Sequence, residues 1–191
     1  MGDFDQAPRD SVSALIFELV MVSDGRTTDL LETIVNDSLT PMIIRQEVMQ
    51  PSIADLNMIY RESVLLDSFG TAISHNFVFL KPEFMPKDLL DELLQENKPI
   101  GKIIKKLNVF SRRTVKSSGW RSPDETINLK GTPVDTQFSK QSTMVPYKTY
   151  SVHFSGYEES GMELLEYFNP KLVECYLRSR DMSLTELEKV R

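Results

Sequence analysis

Two β-rich runs, MIYRESVLL at 58–66 and AISHNFVFL at 72–80, are joined by a short connection that begins DSFG. A glycine-containing connection that short closes an antiparallel hairpin. A chain that commits nearly twenty residues to a local hairpin must bury at least one of its faces on a shared core. The remaining elements are therefore read against a largely antiparallel sheet.

SVSALIFELVMV at 11–22 is apolar, and its periodicity suits a helix or a strand. An Asp-Gly turn follows at SDGR. TTDLLETIVNDSL then spaces Leu30, Leu31, Ile34 and Val35 as a helix face, with Thr27 or Thr28 as its cap. Residues 42–49 read as a strand. Pro86 opens a helix to about Glu96, and Pro99 opens a second one, PIGKII, by standing at its first position. Strands are expected near 109–117, 147–154 and 162–168. Strands joined by hairpins around one block of helices, 86–107, predict an α+β single domain with helical flaps.

The proposed organisation is a tail at 1–10, a domain at 11–170 and a helical extension at 171–191. Ser183 and Glu186 have capping-box spacing in that extension. Residues 121–143 are polar, and a loop of that length in a compact domain is expected to be an insertion or a lid.

At 191 residues, the chain is long enough for a full core. Its single cysteine, Cys175, excludes an internal disulfide and fits a reducing, cytoplasmic setting as a small buried hydrophobe. No apolar run reaches the roughly 20 residues of a membrane span. The acidic start lacks a signal core. A net charge of −6 argues against nucleic acid as a partner but not against a small anion, which responds to the local field.

Two charges stand where apolar residues belong. On the strand MELLEYF, one face carries Met162, Leu164, Glu166 and Phe168. On MIYRESVLL, Arg61 shares a face with Ile59, Ser63 and Leu65. Such residues are almost never fully buried unless paired. Three arrangements satisfy them: a buried salt bridge between the two, edge strands with wet faces, or a closed pocket for a polar ligand. The helix start at Ile100 and Gly101 adds backbone N–H groups with no acceptor inside the helix, and a glycine that lets a ligand approach. His75 and His153 are isolated histidines on strands and are read as structural or surface residues.

In order and spacing, YRESVLL, PIGKII and ELLEYF resemble the chorismate pyruvate-lyase (4-hydroxybenzoate synthase) superfamily, in the branch catalogued as a domain of unknown function. SDGRTTDLLE is similar to that branch's N-terminal region, and the resemblance covers about residues 14 to 169. It implies an antiparallel sheet with helical flaps, and a carbon–oxygen lyase that removes pyruvate from chorismate to leave 4-hydroxybenzoate without metal or cofactor. By that resemblance Arg61 binds the ring carboxylate together with the backbone at Ile100 and Gly101. Glu166 faces the hydroxyl end, and Arg26 or Thr27 adds a backbone contact. Arginines frequent in the family are replaced by Asn76 or Lys81 after the second strand, and by Lys148 alone before the last.

Chorismate is a dianion, which Arg61 would pair bidentately. Desolvation among Met162, Leu164 and Phe168 would raise the pKa of Glu166 and suit it to proton donation. The expected partner is thus a small aromatic or cyclohexadienyl carboxylate. The alternative is a non-catalytic binder of an aromatic acid, like the ligand-sensing domains of transcription regulators. With no DNA-binding segment read ahead of the domain, a direct regulator is the less expected form of that alternative.

Overall fold

The computed structural model describes residues 11–49, 57–95, 98–138, 144–177 and 180. The elements run α1 (Ser11–Val22), α2 (Thr27–Val35), β1 (Thr40–Val48), β2 (Ile59–Leu66), β3 (Ala72–Leu80), α3 (Lys87–Gln95), α4 (Ile100–Lys106), β4 (Ser111–Arg121), β5 (Val145–Phe154) and β6 (Ser160–Phe168). The six strands form one sheet in the order β1-β2-β3-β6-β5-β4. Every neighbouring pair is antiparallel. This is the α+β single domain expected from the sequence.

The β2–β3 hairpin closes at the four residues that marked it. The Asp67 carboxylate accepts the Phe69 N–H at 3.0 Å and the Thr71 N–H at 2.7 Å. Gly70 takes φ +76°, a left-handed conformation open to glycine without a Cβ penalty. After β3 the chain crosses one face of the sheet through α3 and α4 to the far edge. It then returns by β5, and β6 inserts between β5 and β3.

Helices cover one face in two groups. Leu89 and Leu93 of α3, with Ile103 and Ile104 of α4, pack on Ile59, Val78, Val152 and Leu164. Phe17 and Val20 of α1, with Leu31 and Val35 of α2, pack on Leu65 and Phe168. Leu172 and Cys175, in helical residues 172–177, complete the second group. The segment 11–22, left open by its periodicity, is helical because Phe17, Val20 and Met21 form one buried side.

The opposite face corrects the expectation of a lid. Leu129, Val134 and Phe138, from the described part of the 121–143 loop, pack on Tyr60, Phe77, Leu165 and Tyr167. Those strand residues alternate with Arg61, Val78 and Glu166, so the loop lies on the far side from the helices. It is also locally built: Ser122 and Glu125 form a capping box, and the Thr126 and Ile127 backbones bond to neighbouring groups. The extension at 171–191 is described only at 171–177 and 180, and the Ser183–Glu186 spacing and the 1–10 tail fall outside the described residues.

Candidate functional site

Between the two helix-covered cores, the sheet turns polar. Ser63 of β2 faces Asn76 of β3, Asn76 faces Glu166 of β6, and Glu166 faces Lys148 of β5. The four make one cross-strand row, and all four are buried. Val78 and Leu164 flank the row on one side and Leu65 and Phe168 on the other, so Glu166 is buried as one member of a polar band across the sheet.

This band floors a pocket of about 550 Å³, mouth included. Its walls hold Arg61, Glu166, Ile100, Gly101 and Thr27, five of the six residues singled out in the sequence. The sixth, Arg26, lies elsewhere: it precedes α2, pairs with Asp29 at 3.0 Å and lines a shallower cleft with Lys105 and Arg113. Thr27 is the first residue of α2 rather than its cap, and Pro99 is the cap of α4 rather than its first residue. The Pro99 carbonyl accepts from Lys102 and Ile103, which leaves the Ile100 and Gly101 N–H groups without acceptors in the helix.

Arg61 and Glu166 do not pair. Arg61 stands opposite Val78 and Leu164, whereas Glu166 stands two residues further along and two strands across. Strand spacing and rise put their backbones about 12 Å apart. The Arg61 guanidinium turns the other way, and its Nη1 donates to the Leu93 carbonyl at 2.5 Å and to Gln46 Oε1 at 3.4 Å. Arg61 is 1% exposed, and burial holds its pKa below the ordinary value. Of the three arrangements left open by the sequence, the structure has neither the direct salt bridge nor edge strands, because β2 and β6 are both interior.

Four pocket residues carry a buried side-chain atom with no hydrogen-bond partner: Arg61 Nε, Asn76 Oδ1, Arg113 Nε and Glu166 Oε2. Two are donors and two are acceptors, and leaving such atoms unmet costs about 1–3 kcal/mol each. Among the described residues, no cluster of three or more His, Cys, Asp or Glu could hold a metal ion.

Two residues at or beneath the pocket were not singled out as site residues from the sequence and matter most to its electrostatics. Tyr150 lines the pocket, and its hydroxyl bonds to the side chains of Thr27 and Glu166. Burial raises its pKa well above the ordinary phenol value, and the Glu166 charge adds to the effect. The hydroxyl therefore keeps its proton. Lys148, 1% exposed, donates to the Val20 carbonyl at 3.0 Å, the Ser23 carbonyl at 3.1 Å and Thr27 Oγ1 at 3.3 Å. It ties the end of α1 and the start of α2 to the sheet. Burial lowers its pKa, and the Glu166 charge acts in the opposite direction. His75 lies on the far face, bonded to Glu62 at 3.0 Å.

α2 and α4 meet beside the pocket: a Cβ at Gly101 would lie 3.6 Å from Thr28 Oγ1, an ordinary van der Waals contact. Lys102 of α4 and Glu32 of α2 form an ion pair that fastens the same two helices.

No helix among the described residues is long and apolar enough to cross a membrane. No protein family matches the chain, and no curated protein does. Among solved structures, PhnF from Mycobacterium smegmatis is similar with a TM-score of 0.51 and 10% identity, covering 78% of this chain and 65% of that one. This chain thus spans less than two thirds of that protein. The C-terminal domain of PhnF gives 0.48 at 10% identity, over 70% and 84% of the two chains. The effector-binding domain of the Bacillus subtilis trehalose repressor gives 0.41 at 7%, over 68% and 90%. At 10% identity the first of these bears on fold alone, an α+β domain built on an antiparallel sheet.

Proposed function

We propose that the pocket binds a small aromatic or cyclohexadienyl carboxylate, and that the chain eliminates pyruvate from chorismate to give a hydroxybenzoate, 4-hydroxybenzoate by the family resemblance. One observation carries this: residues from α2, α4 and all six strands wall a single pocket in which buried donors and acceptors stand without partners. Arg61 Nε and the Ile100 and Gly101 amides supply donors for a carboxylate at one end. Glu166 supplies an acceptor for a hydroxyl at the other. A para-substituted ring suits backbones about 12 Å apart, with a side chain reaching in from each.

In this reading the chain holds the ring by both ends and excludes water. Glu166 passes a proton to the departing ether oxygen as the carbon–oxygen bond breaks. The hydrogen on the hydroxyl-bearing ring carbon leaves as a proton to the Glu166 carboxylate so that the ring becomes aromatic, and the released enolpyruvate tautomerises to pyruvate. A second reading rests on Tyr150, whose hydroxyl donates to Glu166 while Lys148 faces the same carboxylate. Both neighbours suit a fixed acceptor, so Glu166 would hold a ligand hydroxyl with no chemistry following.

Incubation with chorismate, with pyruvate and aromatic acid followed together, decides between them. Calorimetry with 4-hydroxybenzoate on wild type and Arg61→Ala accompanies it. Pyruvate release supports the lyase. Binding that Arg61→Ala weakens by about 2–5 kcal/mol, without pyruvate, supports the binder. No pyruvate and no binding would overturn both.

A further inference from the structure

The two edges of the sheet are treated differently. The β4 edge carries Arg112, Thr114, Lys116, Ser117 and Ser118 and has no exposed large hydrophobic residue. Charges of this kind, lysine above all, discourage strand addition. The β1 edge exposes Met42, Ile44 and Val48, the last at 71%, and Leu94 of α3 lies beside it, its carbonyl accepting from Gln46. Residues 44–48 read Ile-Arg-Gln-Glu-Val and contain neither lysine nor proline.

That five-residue pattern is complementary to itself. Antiparallel partners share a face, so two copies of β1 can pair only about a two-fold axis through a residue. An axis at Arg45 sets arginine against arginine, and one at Glu47 sets glutamate against glutamate. An axis at Ile44 falls on the irregularity between Ile43 and Arg45. An axis at Gln46 sets Arg45 against Glu47 twice and keeps the irregularity at Ile44 to the two ends of the pairing, where Ile44 and Val48 come together. Opposite charges and apolar pairs facing each other across strands stabilise a ladder, and like charges destabilise it.

We infer that the chain forms a two-fold dimer through antiparallel β1–β1 pairing centred on Gln46, joining two sheets into one of twelve strands. Arg45 and Glu47 supply the charge pairs, and Ile44, Val48 and Leu94 supply the apolar contact. Glu47 is shared between the second copy's Arg45 and Lys130 of its own chain, which it meets at 2.6 Å. This inference is independent of what the pocket binds.

The test is a charge exchange read by sedimentation over about a hundredfold range of concentration. Wild type sediments as a dimer. Glu47→Arg sets arginine against Arg45 of the second copy and weakens the dimer about tenfold or more, and Arg45→Glu does the same with two glutamates. The double exchange restores the charge pairs and the dimer. All four positions changed or probed are exposed, and matching melting curves confirm that each variant folds. Separately, Gln46→Cys forms an intermolecular disulfide, because residues on the axis have Cβ atoms about 5 Å apart. Ile44→Cys, which faces position 48, does not. A monomer at every concentration overturns the inference. So does a dimer indifferent to the single exchanges, one not restored by the double exchange, or equal cross-linking at 44 and 46.

Discussion

Tyr167 grips both backbone groups of Ile127. Its hydroxyl accepts the Ile127 N–H at 3.0 Å and donates to the Ile127 carbonyl at 2.9 Å, while Arg121 Nη1 donates to the Tyr167 hydroxyl oxygen at 2.6 Å. One donor and two acceptor sites are all used, which is the full capacity of a phenol. Through this grip the interior strand β6 holds the 122–138 segment on the face away from the pocket.

Tyr167→Phe should therefore lower stability by about 1–3 kcal/mol, since it strands two buried backbone groups at once. Urea unfolding measures the loss, and limited proteolysis should cut 122–138 faster. Binding of 4-hydroxybenzoate should hold at the wild-type affinity, because the grip and the pocket lie on opposite faces. A parallel loss of affinity would mean that the loop reaches the ligand after all.

Glu166→Gln should fold with less than about 1.5 kcal/mol of lost stability, because the amide oxygen still accepts from Tyr150 and Arg61 keeps its own partner at Leu93. If the lyase reading holds, pyruvate release from chorismate should fall about 100-fold or more, since an amide cannot hand over a proton. Thermal unfolding and a pyruvate assay on one preparation read both quantities.

His75 sets a limit on the acid side. Burial lowers its pKa from 6.5, and the Glu62 hydrogen bond opposes that shift without cancelling it. With Nε2 bonded to Glu62, Nδ1 is buried without a partner, so a second ring proton would find no acceptor. Below pH 6.5 the unfolded chain gains a proton that the native state refuses, so stability falls as pH drops from 6.5 towards the native pKa. Above 6.5 both states are neutral and this contribution vanishes. His75→Gln keeps a donor for Glu62 but does not titrate, so its unfolding midpoint should depend less on pH across that window.

Gly161 is the glycine least able to change. A Cβ there would lie 2.7 Å from the Phe154 ring and still nearer the Phe84 carbonyl oxygen, which belongs to backbone. The neighbouring Gly161 carbonyl also accepts the Lys81 N–H at 2.8 Å, so the strand cannot move away freely. Gly161→Ala should cost about 3 kcal/mol by overpacking, visible as a lower melting temperature.

The hairpin, the main strands and the helices at 86–107 were legible because their signals are local: a turn residue, a proline, an alternation. Arg61 and Glu166 were legible as charges in apolar rows. Lys148 gives the same signal, standing in the inward row Pro146, Lys148, Tyr150, Val152 and Phe154. Tyr150 gives no such signal, since tyrosine is ordinary in a strand. The seat of the 121–143 loop was not legible either. Leu129, Val134 and Phe138 follow no period, and only the tertiary surface of Tyr60, Phe77 and Tyr167 reveals why they are apolar. The register that separates Arg61 from Glu166 likewise exists only once the strands pair.

Because β6 sits between β3 and β5, the middle of the sheet is made last in the order of synthesis. Asn76 and Glu166 are neighbours in the polar row, yet ninety residues of chain separate them. A nascent chain that has emerged only as far as β5 has two incomplete half-sheets and half a binding floor. It holds Arg61 without Glu166, and it leaves the inner borders of β3 and β5 open to each other or to a neighbouring nascent chain. Ligand and finished sheet thus become available in the same step, so a small molecule present during translation can capture only a chain whose final strand is already home.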